Sequence, residues 1–155
     1  MVQGEQPLLP SIYEFPLGPE SVIFLRSTAF NSLESQTDST PFITATGETT
    51  RPGLVALSRD LLETIPYGSI VEILDIRPRE GNPNGCGATM KTIRRLETLP
   101  GLEPGQFQVE DTMHPRKENQ LDMWLEHLED ARRWGVCEIV IRAPDQESVL
   151  FALGK

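Results

Sequence analysis

The chain has 155 residues, a net charge of −9, 38% hydrophobic and 24% charged residues. That length can bury a core without metal or disulfide staples, and no apolar run is long enough for a membrane-crossing helix. No Lys/Arg cluster is present to displace counterions from a phosphate backbone, which argues against nucleic acid as a partner.

Residues 1–20, rich in Pro, Gly and Gln, read as an irregular arm. Met1 to Pro10 lacks the basic start and apolar centre of a signal peptide. Ser21–Phe30, β-branched and aromatic, predicts a strand. Asn31–Thr50 is nearly all small and polar and predicts a long loop, a length that points to function. Leu54–Leu57 predicts a short strand, and Ser58 offers an N-cap for a helical turn through Leu62. Pro66 and Gly68 then turn the chain into a strand at Ile70–Ile76.

Residues 77–104 predict an elaborated loop around a more regular stretch, Met90–Leu99. Strands are expected at Gln106–Glu110 and Gln120–Leu125. Leu128, Ala131 and Trp134 recur at helical spacing, with Gly135 as the stop, so 126–134 predicts a helix. Val136–Arg142 alternates as a closing strand, Pro144 breaks it, and Gln146–Leu153 has the pattern of a short amphipathic helix. Short strands with Gly/Pro turns predict an all-β chain with minor helices, closed into a small barrel. Pattern alone leaves an OB-like and a double-psi barrel both open.

The chemistry-bearing candidates are carboxylates. Asp38 lies in a polar loop, where an Asx-turn is its ordinary role, and Asp111 follows a strand, where aspartate commonly forms a turn. Asp122 stands between Leu121 and Met123-Trp124, a setting in which a carboxylate needs a partner or a purpose. Cys86 and Cys137 could pair in an oxidising compartment, or be a loop residue and a core thiol. Neither of the two histidines sits at ligand spacing from a cysteine, so no metal or other cofactor is expected. Phe30, Trp124 and Trp134 read as core. Tyr67, beside Pro66 and Gly68 at a turn, is the aromatic best placed to belong to a site.

Taken in order, Ser27-Thr28-Ala29-Phe30, Gln36-Thr37-Asp38-Ser39-Thr40-Pro41, Ile43-Thr44-Ala45-Thr46-Gly47, Gly53 to Leu61, Pro66-Tyr67-Gly68-Ser69, Val109 to Met113, Leu121-Asp122-Met123-Trp124 and Ala131 to Gly135 resemble the 3D domain family, named for its aspartates. The likeness runs from Ser27 to Arg142. It implies a six-stranded double-psi β-barrel over 21–143, related to the catalytic barrel of lytic transglycosylase A. An insertion at 77–104, an arm at 1–20 and a tail at 144–155 would complete the chain.

The implied activity is that of a peptidoglycan lytic transglycosylase, with Asp122 as single acid/base and Asp111 tuning or positioning it. Thr28, Gln36, Thr37, Asp38, Tyr67 and Arg116 would contact the glycan, and Arg116 could reach a stem-peptide carboxylate. Ser58 stands where many relatives carry an aspartate, and Asp60 could substitute for it. The resemblance further implies glycan strands as partner, a monomer, and an extracytoplasmic location. Two other functions remain open: a glycan-binding barrel without catalysis, and a hydrolase in which Asp111 activates water opposite Asp122.

Overall fold

The computed structural model describes residues 20–31, 44–47 and 49–144. Gln36, Thr37 and Asp38 lie outside the described residues, as do residues 1–19 and the helix expected at Gln146–Leu153.

The fold is mostly β-sheet. Six strands, β1 (Glu20–Phe30), β2 (Leu54–Leu57), β3 (Ile70–Pro78), β4 (Gln106–Thr112), β5 (Gln120–Trp124) and β6 (Cys137–Pro144), are joined by few helices. They form a closed ring in the order β1-β5-β2-β4-β3-β6. Closure leaves no strand with an unpaired edge. β1/β5 and β2/β4 run parallel, whereas the other four pairings are antiparallel.

One apolar cluster fills the ring. Leu25, Val55, Leu57, Val71, Ile73, Phe107, Val109, Leu121, Met123, Ile139 and Ile141 belong to it, drawn from every strand. Alternate residues of a strand point to opposite faces. Phe24, Arg26, Thr28, Ala56, Gln120 and Asp122 therefore project from the outside of the ring.

The expected strands are all present, with shifted ends: β4 runs on to Thr112, which puts Asp111 inside a strand rather than after one. The helical turn after β2 is a 3-10 turn at Arg59–Leu61, and Ser58 does not cap it through its side chain. The Ser58 hydroxyl instead accepts from the Gln120 amide at 3.0 Å, while the Ser58 amide donates to the Gln120 carbonyl at 2.9 Å. Ser58 thus pins β2 to β5 rather than starting a helix.

Within 77–104 lies α1 (Met90–Arg95), opened by a reciprocal Thr89/Thr92 capping box. α2 (Leu128–Trp134) follows β5 and stops at Gly135, whose φ of 69° suits a residue without a Cβ. The buried Trp134 indole donates to the Ser27 hydroxyl at 3.3 Å, docking α2 on β1. A disulfide joins Cys86, in the 77–104 segment, to Cys137 at the start of β6. Beside it the chains touch: a Cβ on Gly87 would collide with the Arg133 carbonyl.

Candidate active site on the outer face of the ring

Four strands build one row of side chains. Thr28 on β1 is in register with Asp122 on β5, Asp122 with Ala56 on β2, and Ala56 with Asp111 on β4. Cross-strand partners share a face, so Thr28, Asp122, Ala56 and Asp111 lie side by side outside the ring. Ala56, the small member, separates the two carboxylates by two inter-strand spacings, about 10 Å between backbones.

Asp111 reaches that face through an irregularity. Its strand-mates Phe107 and Val109 point inward, and strict alternation would send Asp111 inward too. The register of β4 against β2 shifts between Val55 and Ala56, so that Glu110 is an extra residue. One inserted residue exchanges the faces of everything after it. Glu110 itself accepts from the Thr46 hydroxyl at 2.6 Å and from the Gln108 side chain.

The Asp122 carboxyl is held by a short relay. Thr28 Oγ1 donates to Asp122 Oδ1 at 2.8 Å, and Gln120 Nε2 donates to Thr28 Oγ1 at 2.9 Å. Because Gln120 occupies one lone pair of the hydroxyl, the Thr28 proton is directed at Oδ1. That leaves Oδ2 as the oxygen able to carry an acid proton.

Burial pushes the Asp122 carboxyl up to about 6. The Thr28 hydrogen bond and the Lys117 charge act downward, and the Asp111 charge adds a smaller upward push. Burial wins because it penalises the ionised form more than one hydroxyl and one ammonium favour it.

Asp111 is held differently. Its Oδ1 accepts from the amides of Ala45 and Thr112, each at 2.9 Å, tying the 44–47 segment to the end of β4. Asp111 is therefore both a local anchor and a charge acting on Asp122.

The other candidates are scattered. Tyr67 is 42% exposed in the turn before β3, where the adjacent Gly68 amide donates to the Val109 carbonyl of β4 at 2.7 Å. Arg116 is exposed in the β4–β5 loop, its amide bonded to His114 Nδ1. Asp60 accepts from the Asn119 amide with both oxygens, at 3.0 and 3.3 Å, so it braces the entry to β5 instead of joining the row. Among the described residues no group of three or more His, Cys, Asp and Glu is placed to hold a metal ion.

Comparison with known proteins finds little. No family model and no curated protein matches this chain. Among solved structures, the crystal structure of MltA from E. coli is similar over 70% of this chain, at 15% identity and a TM-score of 0.41. The similar part spans 28% of that chain, and a likeness so distant carries no argument about activity.

Sequence reasoning passed over Gln120 and Lys117. Gln120 carried a usable signal: it precedes Asp122 by two residues in a strand, so it shares its face. Lys117 acts across space from a loop, and no periodicity announces it.

Proposed function

We propose that this chain is a peptidoglycan lytic transglycosylase of the 3D type, built on a double-psi β-barrel. Asp122 is its single acid/base. The observation that carries the reading is the half-buried Asp122 carboxyl, gripped at Oδ1 by the Gln120–Thr28 relay, in a row with Asp111 on the outer face. The ordered motifs that resemble the 3D family support it independently.

A carboxyl raised to about 6 keeps a useful protonated fraction near neutrality, which glycosidic cleavage requires of its acid. Oδ2 would give its proton to the oxygen leaving from N-acetylmuramic acid as the ring gains oxocarbenium character. The same oxygen would then take the proton of that sugar's own 6-hydroxyl as its oxygen closes on the anomeric carbon. No water enters, and the carboxyl ends protonated as it began. Asp111 supports the acid by its charge, and substrate cleavage would place the protein outside the cytoplasm. No described helix is long and apolar enough to cross a membrane.

Purified sacculi provide the test, read by mass spectrometry of the released fragments. Anhydro ends are expected from the native protein. Asp122→Asn should lose about a hundredfold or more, the ordinary worth of a general acid. Reducing ends would instead mean a water-using hydrolase, and intact retained strands a binding module.

A further inference from the structure

A recessed surface lies on the outer face, one strand repeat from the Asp122 row. Phe24, Arg26, Asp75, Arg77, Arg79, Asn119 and Glu138 surround a groove of about 260 Å³ spanning β1, β6 and β3. In register, Arg26 of β1 pairs with Glu138 of β6, and Glu138 with Arg77 of β3. β3 reaches this arrangement by a register shift between Ile73 and Asp75, which turns Asp75 and Arg77 outward and Ile76 into the core. Phe24, the most exposed large apolar side chain described at 49%, forms the apolar wall.

The charges do not cancel. Glu138 contacts Arg77 at 3.8 Å, and Asp75 Oδ1 accepts from the Ile76 amide at 2.9 Å. Arg26 and Arg79 have no carboxylate within ion-pair reach among the described residues. Two such guanidinium groups in one groove, on a chain of net charge −9, make a local site for anions against the overall charge. Guanidinium groups bind carboxylates by paired, parallel hydrogen bonds.

The groove borders the Asp122 row along β1. Arg26 and Thr28 are successive outward residues of β1, and Arg26 is in register with Gln120, the first residue of the relay. Asn119, in a left-handed conformation with φ of 52°, donates to the Phe24 carbonyl at 3.2 Å and so joins the floor of the groove to the start of β5.

We propose that this groove binds the free carboxylates of the peptide stem carried by the glycan, through Arg26 and Arg79, with Phe24 against the aliphatic part. The inference rests on the transglycosylase reading for its substrate. It adds a specificity: strands bearing peptides are preferred to strands stripped of them.

Two measurements test it on the full chain. The first compares kcat/KM on peptide-bearing strands with that on the same strands treated with an amidase, for the native protein and R26Q/R79Q. The native protein should prefer peptide-bearing strands by about tenfold, the worth of one or two charge-assisted bonds. The double variant should lose the preference and keep the rate on stripped strands, which also reports an intact fold. The second titrates a disaccharide tetrapeptide into D122N, with and without both arginine changes, and expects affinity to fall about tenfold when the arginines go. Equal native rates on both strands, or tetrapeptide affinity indifferent to the arginines, overturns the groove and leaves the transglycosylase reading intact. Absence of any cleavage alongside arginine-dependent tetrapeptide binding overturns that reading and leaves the groove.

Discussion

Asp122 is costly to its own protein. Its ordinary carboxyl value of 3.8 is raised to about 6 in the folded state. Between those values the folded chain holds a proton that the unfolded chain has released, so stability falls as pH rises from about 4 to 6. An amide in place of this carboxyl has no charge to bury, and its oxygen can still accept from Thr28. Asp122→Asn should therefore be more stable than the native protein at pH 7, by up to about 3 kcal/mol. The gain should vanish near pH 4, as read by denaturant unfolding at the two pH values. The acid must be protonated, so native activity should decline above about pH 6. Thr28→Val removes a downward influence on that carboxyl and should move the decline to higher pH. Asp111→Asn removes an upward one and should move it lower, by less. Identical pH–rate profiles for both variants would detach these residues from the acid.

At the scale of elements, the strands were legible and the irregularities were not. Val55 and Leu57, Phe107 and Val109, Leu121 and Met123 alternate plainly, because burying one face imposes a period of two. The extra residue at Glu110 leaves no such mark, since a bulge is defined by the partner strand rather than by its own sequence. Hence Asp111 could be named from its motif while its face could not. The Gln120 relay was hidden likewise: a strand position is visible, but the Thr28 partner 92 residues away is not. The disulfide links two elements that composition left open to pairing or not. It closes a separation of 51 residues, which in the chain-entropy account is worth about 4 kcal/mol. Reduction should lower the melting temperature while leaving most activity on sacculi, because neither sulfur touches the Asp122 row. Loss of activity in step with reduction, below the melting transition, would mean that the 77–104 segment shapes the site.

At the scale of the molecule, the ring is sewn shut by its two ends. β1 pairs with β6 over eight residue pairs, Glu20 with Pro144 through Ser27 with Cys137. The Asp122 row likewise draws on positions 28, 56, 111 and 122. Almost nothing that matters can form from neighbouring sequence, and folds dominated by such distant pairings close in milliseconds to seconds rather than microseconds. A chain still emerging from the ribosome without β6 cannot complete its core, so the ring stays open until β6 has been made. That delay keeps the Asp122 row from being assembled before all of the strands are present. On the glycan-cleaving reading, the same slow closure would keep the chain unfolded for an export apparatus that threads unfolded chains.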